Sequence, residues 1–504
     1  MTARAPLRQL LDVHPIGIRL AYLAGGAMMT LAFAPLSGWA LAPVLVVPVL
    51  TLSLYSTPLA AARYAFWFGV GLFLFGTYWV YISIHVFGQA PLWLSLMLMF
   101  GLVLIMAFWY AATGWLIAAL SRGSPARLVL AAPAAWVLVE WFRGWFLTGF
   151  PWLSLGYSQV DSPLAGWLPV LGVYGVTFLV VLSASAFVAS VSFTGRARQL
   201  ALTLAVVPWL AGFGLQWVPW SHPSGEALTA TIVQGGIPQE RKHLAEQFLP
   251  TLELYGRTIS SHPDSDLIVW PEAAIPAAAQ QVEPYLAALQ RALRRGGQAL
   301  LLGILDAGGP DVIYNSVYLL DGNSRQVYRK RHLVPFGEYF PVPDLLRHWL
   351  AGMIKLPSGD ISAGEERQPL LTLPRGTELA TAICYEDAYG AEQLYALPEA
   401  GLLINVSNDA WFGDSIAPHQ HLEIARARAA EAARYTIRAT NNGISAFIGP
   451  KGELLQTVPQ FRYATLTMDV VPLQGATPYA IAGNWPVITL ALVLVLFFTL
   501  KRRL

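Results

Sequence analysis

The chain has one cysteine, Cys384, and the first question is what that thiol does. A lone thiol forms no internal disulfide, so it either packs as a small hydrophobe or works as a nucleophile. Cys384 ends the apolar run Glu378 to Cys384 and is followed by Tyr385, Glu386 and Asp387. Such a strand-to-turn junction presents a side chain to a cleft and turns the next backbone N–H toward a developing oxyanion. A thiol titrating at about 8.5 attacks well only beside a base or a cation. Glu272, in Trp270-Pro271-Glu272 after the hydrophobic run Asp266 to Trp270, would stand at a strand's C-terminal end. An apolar frame there lifts a carboxylate toward general-base duty. Lys330, in Arg329-Lys330-Arg331-His332, offers the cation. Each has a plainer reading, Glu272 as a helix cap and Lys330 as one of a solvated basic run, and spacing alone does not choose. His419 and His421, two apart with no nearby cysteine or paired carboxylates, read as structural or hydrogen-bonding residues rather than metal ligands.

The elements that must hold these residues lie in residues 217–483. Strands are expected over Leu228 to Gln234, Asp266 to Trp270, Ala299 to Leu305, Ser316 to Leu320, Glu378 to Cys384, Leu402 to Val406, Ile444 to Ile448 and Ala464 to Val470, each bounded by Gly, Pro or Asp. Helical spacing runs over Leu244 to Ile259, Pro284 to Arg295 and His421 to Tyr435. In the last, Glu423 with Arg426 and Glu431 with Arg434 are three apart, as pairs on an exposed helix face would be. Alternation of this kind indicates a layered α/β domain.

The rest of the chain has a different texture. Of 504 residues only 12% are charged and 55% are hydrophobic, where a soluble chain has about 25% charged. Residues 1–217 hold 12 of the charges, against 50 in the remainder. The net charge of +2 provides no basic field for a nucleic acid, so none is expected as a partner. Leu20 to Ala62 and Tyr64 to Ser121 are charge-free runs of 43 and 58 residues, each long enough for two spans of ~20. Eight spans are expected, near Gly17 to Phe33, Trp39 to Tyr55, Tyr64 to Ile84, Pro91 to Leu120, Leu128 to Phe146, Trp167 to Val191, Leu200 to Leu215 and Trp485 to Leu500.

Basic residues orient the spans, because short loops rich in Lys and Arg stay cytoplasmic. Arg4, Arg8 and Arg19, then Arg63, Arg122 with Arg127, Arg196 with Arg198, and Lys501 with Arg502 and Arg503 all fall on one face. Both termini are therefore expected in the cytoplasm of a bacterium. Residues 1–216 form the membrane domain, 217–483 a periplasmic domain, and 484–504 a last span with a cytoplasmic tail. Arg19 is followed by no small-residue cleavage site, so the first span is expected to be retained.

Three segments, Trp270-Pro271-Glu272, Lys330 with Leu333-Val334-Pro335-Phe336-Gly337-Glu338, and Cys384-Tyr385-Glu386-Asp387, resemble in order and spacing the Glu-Lys-Cys triad of the nitrilase superfamily. Four more are similar to its membrane-embedded branch, the apolipoprotein N-acyltransferases: Asn405 to Gly413, Pro418-His419-Gln420-His421, Glu140 to Trp145, and Thr148 to Trp152. The resemblance implies a polytopic α-helical membrane domain of about eight spans plus an α/β nitrilase-like αββα sandwich domain. It also implies transfer of a fatty acyl chain from a membrane phospholipid, typically phosphatidylethanolamine, to the N-terminal amine of a diacylglyceryl-cysteine lipoprotein. Glu272 would be the base, Cys384 the nucleophile carrying a thioester, and Lys330 with the N–H after Cys384 the oxyanion site, in a ping-pong cycle. Glu338 would hold Lys330, and Tyr385 and Glu386 would orient the nucleophile. No metal or organic cofactor is expected, and the chain is expected to act as a monomer in the bacterial inner membrane.

Substrate contacts are expected from Trp411 and Phe412, from Trp152 among the aromatic residues at outer span ends, and from Arg143. Arg143 either touches a phosphate headgroup or simply neutralises Glu140. Trp349 lies in the apolar stretch Leu345 to Ile354, read as a lipid-facing lid or a core helix. Where some family members carry a Trp, this chain has Lys242-His243, which puts an aromatic lipid contact there in doubt. A membrane-tethered amidase with the same triad is the alternative activity. A transporter fits poorly, because the charge-free runs hide no ionisable residue at mid-depth.

Overall fold

A computed structural model describes residues 15–309, 312–343, 353 and 360–500. The described chain divides into two compact units, residues 15–80, 96–218 and 482–500 in one and residues 81–95 with 219–481 in the other.

The first unit is helical. Among the described residues, six helices are long and apolar enough to cross a membrane: Pro15–Ala32, Pro58–Gly76, Leu92–Ser121, Pro125–Arg143, Pro163–Ser190 and Gly195–Leu215. Leu41–Tyr55 and Trp485–Leu500 are apolar but shorter. At 1.5 Å per residue the former covers about 22 Å of a hydrocarbon core of ~30 Å. All eight expected spans have a helix. The third is displaced, running from Pro58 to Gly76 rather than to Ile84. It stops where the Thr77 hydroxyl turns back on the Phe73 carbonyl at 2.6 Å, and Ile82–Phe87 then forms a π-helical turn that belongs to the second unit. Glycine permits the tightest helix contact: a Cβ on Gly26 would meet the Phe68 carbonyl oxygen at 1.9 Å, and one on Gly71 the Leu23 carbonyl oxygen at 2.0 Å. Without side chains the two backbones approach directly, the usual basis of helix association in lipid.

The second unit is a sandwich. In chain order its strands are β1 (His222–Pro223), β2 (Leu228–Gln234), β3 (Leu267–Val269), β4 (Ile275–Ala278), β5 (Ala299–Gly309), β6 (Val312–Leu320), β7 (Arg325–Arg329), β8 (Leu371–Thr372), β9 (Glu378–Ile383), β10 (Leu402–Ser407), β11 (Thr436–Thr440), β12 (Ala446–Ile448), β13 (Leu454–Thr457), β14 (Ala464–Val470) and β15 (Leu473–Gln474). One sheet runs β14-β2-β3-β5-β6-β7, with β4 also on β5, and the other runs β13-β12-β11-β10-β9-β8. Alternate residues explain the layering. Leu402, Ile404 and Val406 of β10 meet Ala230 and Ile232 of β2 and Leu301 of β5 in the core between the sheets. Leu300 and Leu302 of β5 face the other way, onto Leu286, Leu289 and Leu293 of the helix Glu283–Gly296. The helix Ala417–Ala432 packs Leu422, Ala425 and Ala429 on Ala446 and Ile448 of the second sheet. The layers are therefore helix, sheet, sheet, helix, as expected.

Three expectations need correction. The helix expected over His421 to Tyr435 runs over Ala417–Ala432 instead, starting four residues earlier and ending before Ala433, whose φ of +50° breaks it; the strand Thr436–Thr440 follows. The helix's charged face is buried rather than exposed. Glu423, Arg428, Glu431 and Arg434 are all buried and Arg426 is half-buried; Glu431 pairs with Arg428 at 3.0 Å rather than with Arg434, which donates to the carbonyls of Ala400, Pro398 and Gly475. Spacing reports that charges can pair on a helix, but not that a second layer covers them. β7 and β11 were not anticipated either, because Arg325–Arg329 and Thr436–Thr440 carry charge where an apolar run was sought.

Candidate active site

Parallel pairing sets where the functional residues emerge. β2, β3 and β5 are parallel in one sheet, and β9, β10 and β11 in the other. In each set the strand ends are brought together, the usual place for a site in a parallel sheet. Glu272 follows β3, Cys384 follows β9, Asn408 follows β10 and Asn441 follows β11, while Lys330 directly follows β7.

Cys384 sits at the sharpest point. Its φ is +52°, a conformation that costs a residue with a Cβ about 1–2 kcal/mol. It opens a 3₁₀ turn, Cys384–Ala388, and the half-buried residue packs against the edge of the core between the sheets. Burial pushes the thiol's pKa well up, Glu272 and Asp409 push the same way, and Lys330 and a bond involving Ser407 only partly oppose them. The resting group is a protonated thiol that needs a base to become a nucleophile.

Glu272 is buried, and both carboxylate oxygens are engaged. Oε1 accepts from Asn315 Nδ2 at 2.7 Å and Oε2 from the Asn408 backbone N–H at 2.8 Å. Lys330 Nζ stands 3.6 Å from Glu272 Oε1 and donates to Glu338 Oε1 at 2.9 Å. Burial works against the ammonium, but Glu338 and Glu272 outweigh it and raise its pKa, so Lys330 is held charged. Asn315 Nδ2 also reaches Glu338 Oε1 at 3.0 Å, and Glu338 Oε2 accepts from the Val334 N–H at 2.7 Å. One amide thus bridges the two carboxylates that flank the ammonium.

Glu386 ties the nucleophile to the lysine arm. Its Oε2 accepts from the Ile383 N–H, immediately before Cys384, at 2.7 Å. Its Oε1 accepts from the Arg331 N–H, immediately after Lys330, at 2.7 Å, and Tyr328 donates to both oxygens at 3.0 Å. Tyr385 packs edge-on to His332 and Tyr389. His421, read from sequence as a hydrogen-bonding residue, bonds Asp409 Oδ1 at 2.8 Å and the Cys384 carbonyl at 3.1 Å, and His419 Nε2 lies 3.2 Å from Gln460 Nε2.

The expected substrate contacts fall in different places. Trp411 and Phe412 are half-buried in the turn Asp409–Phe412. Ser83 Oγ donates to the Trp411 carbonyl at 2.9 Å, and Phe87 packs edge-on to its ring. Trp349 lies outside the described residues, as does all of its apolar stretch except Met353. Arg143 and Trp152, in the helical unit, are both buried. Arg143 donates to the carbonyls of Phe150 and Trp152 and to Ser154 Oγ at 2.7, 2.9 and 3.1 Å. Glu140 accepts from the Leu155 N–H and the Thr177 hydroxyl at 3.0 and 2.7 Å. The two charges therefore brace the loop Phe150 to Leu155. Trp152 packs on Trp79 and Phe150, while Trp145, Phe146 and Leu147 are the exposed apolar residues of this segment.

Asn315, Asn408 and Lys242 were not picked out as site residues. Lys242 is buried and its Nζ donates to the Glu272 carbonyl at 3.3 Å, while His243 is exposed. Burial lowers the Lys242 pKa to about 8 against the pull of Glu272. An asparagine beside two glutamates carries no spacing signal, which is why sequence missed the bridge.

Residues 25–186 match the apolipoprotein N-acyltransferase N-terminal domain, and residues 229–479 match the carbon-nitrogen hydrolase family. An apolipoprotein N-acyltransferase from Methylococcus capsulatus is 40% identical over 489 residues, 96% of this chain and 96% of its own length. Another from Azotobacter vinelandii is 42% identical over 494 residues, 96% of this chain and 95% of its own. Among solved structures, an amidase of the nitrilase superfamily from Nesterenkonia aligns with a TM-score of 0.39 at 19% identity, over 53% of this chain and 97% of that one.

Proposed function

Because the chain belongs to the apolipoprotein N-acyltransferase family, we propose that it moves a fatty acyl chain from a membrane phospholipid through a Cys384 thioester to a lipoprotein's N-terminal amine. The observation that carries this reading is the Cys384 thiol at a positive-φ turn, with Glu272 and Lys330, 3.6 Å apart, among the charges acting on its sulfur.

In the first half-reaction Glu272 takes the thiol proton and the thiolate attacks the ester carbonyl. The C–S bond forms, and the tetrahedral oxyanion is held by Lys330 and the Tyr385 N–H. Protonated Glu272 returns its proton to the leaving glyceryl oxygen as the C–O bond breaks, leaving a thioester and a lysophospholipid. In the second half the lipoprotein's α-amine attacks the thioester and the C–N bond forms, Glu272 takes the amine proton, and it passes that proton to the sulfur as the C–S bond breaks, leaving the amide and the restored thiol. Asn315 and the Asn408 N–H hold the carboxylate through both halves. Phosphatidylethanolamine is the proposed donor, a diacylglyceryl-cysteine peptide the acceptor, and the outer face of the bacterial inner membrane the place. Both substrates are lipid-anchored, so a membrane-held enzyme need not draw an acyl chain into water at ~0.8 kcal/mol per CH₂.

The test is intact-mass measurement after incubation with phosphatidylethanolamine alone. One acyl chain should appear on the parent, be absent from Cys384→Ala, and pass to an added diacylglyceryl-cysteine peptide. A parent mass unchanged by lipid, with release of ammonia from a simple amide, would replace this reading by the amidase one.

A further inference from the structure

The turn that carries Cys384 is supported from below by a buried chain of charges that the proposed mechanism does not use. His421, in the second turn of the helix Ala417–Ala432, places Nε2 3.1 Å from the Cys384 carbonyl oxygen and Nδ1 2.8 Å from Asp409 Oδ1. Arg438 Nη2 donates to Asp409 Oδ2 at 2.8 Å, and the Ser407 hydroxyl to Asp409 Oδ1 at 2.7 Å. His421, Asp409 and Arg438 are each 1% exposed or less. The sulfur, an Asp409 oxygen and a His421 nitrogen lie within 4.8 Å of one another, a set that could resemble a metal site. Its donors are already committed: both Asp409 oxygens accept hydrogen bonds, and both imidazole nitrogens have partners.

A carbonyl oxygen can only accept, so His421 Nε2 carries the proton of that bond. The Cys384 carbonyl and the Tyr385 N–H belong to one planar trans peptide and point in opposite directions. Fixing one fixes the other. Positive φ at Cys384 is disfavoured for a residue with a Cβ, so the orientation of this peptide must be imposed by its surroundings.

We propose that His421, braced by Asp409 and Arg438, is a positioning residue that locks the Cys384 carbonyl and thereby aims the Tyr385 N–H at the oxyanion. The inference rests on the acyl-transfer reading above. It makes His421 necessary for acylation of the thiol while leaving the thiol itself in place.

Two reactions of the same sulfur separate these effects. p-Nitrophenyl butyrate acylates a thiol through a tetrahedral oxyanion whatever the natural donor is: the C–S bond forms and p-nitrophenolate leaves. Iodoacetamide alkylates it by direct displacement of iodide, with no oxyanion. In full-length His421→Ala, acylation by the ester should fall about 10²–10³-fold, the usual loss for one oxyanion donor. The fall should lie in kcat with KM little changed, while alkylation stays within about threefold of the parent. His421→Gln, whose amide N–H reaches a similar position, should recover at least about tenfold of the acylation lost. Equal acylation in the parent and His421→Ala would overturn the proposal. So would acylation and alkylation falling together in both variants, which would mean the turn had collapsed. Phosphatidylethanolamine run in parallel keeps the two questions apart, since a parent that reacts with the ester but not with the lipid removes the lipid-donor reading alone.

Discussion

Replacing Glu386 by Gln tests whether one carboxylate joins the nucleophile to its lysine. Glu386 is buried, its Oε1 meets the Arg331 and His332 N–H groups at 2.7 and 3.3 Å, and its Oε2 meets the Ile383 N–H at 2.7 Å. An amide keeps one acceptor oxygen and turns the other into a donor. Whichever way it is flipped, an NH₂ faces a backbone N–H. With the NH₂ toward Ile383, one buried N–H is left unpaired, at about 1–3 kcal/mol. The surviving bonds change from charged to neutral acceptor, roughly another 1 kcal/mol in all once the relief of burying a charge is set against it. The expected loss is about 2–4 kcal/mol, or about 4–8 °C in the melting temperature of a unit this size. Thermal unfolding in detergent, followed with the rate of acyl-adduct formation, checks both effects. Glu386→Gln should melt lower and acylate at least tenfold more slowly, because the turn before Cys384 and the strand end before Arg331 lose their common tether. A variant melting within 1 °C of the parent and acylating at the parent rate would refute the reasoning.

Asn315→Asp removes the donor shared by Glu272 and Glu338 and sets a third carboxyl between them; acyl-adduct formation should fall about 10²-fold, and a parent-like rate would show that the bridge does not hold the base. Lys242 binds its proton less readily in the fold, with a pKa of about 8 against an ordinary 10.5. Between those values the unfolded chain holds the extra proton, so stability rises with pH, by about 1.3 kcal/mol from about pH 7 to 9. Lys242→Met should lack this rise, and parallel melting-versus-pH curves for the two proteins would contradict it. Arg143→Met deletes three hydrogen bonds to the loop Phe150 to Ser154 and should cost about 3 kcal/mol, seen as a lower melting temperature in detergent; an unchanged melting temperature would mean the loop is held by its aromatic packing.

Much of this protein is written in patterns that do not depend on folding. A hydrophobic run reports a span because lipid cannot hydrate charge, and all eight runs became helices, although the third ended early, at Gly76. Apolar runs such as Leu402 to Val406 became strands. The sole cysteine, Trp270-Pro271-Glu272 and the Lys330 segment point to the candidate triad only through a family resemblance, because their spacing alone does not choose between a structural and a chemical role. The partners of those residues were not legible. Asn315 comes from β6 and Lys242 from the loop after β2, both in the sheet that carries Glu272, while Asn408 follows β10 of the other sheet, so only the strand order and the apposition of the two sheets make them neighbours of Glu272. The expected exposed pairs on the helix Ala417–Ala432 failed for the same reason: whether a charge faces water or a second layer is a property of the packing. Local sequence determines which side chains can do chemistry and which segments must leave water, because those are properties of single residues and short periods. Tertiary structure alone decides which charges share a buried site, because hydrogen bonds and desolvation act between atoms that are close in space and far apart along the chain.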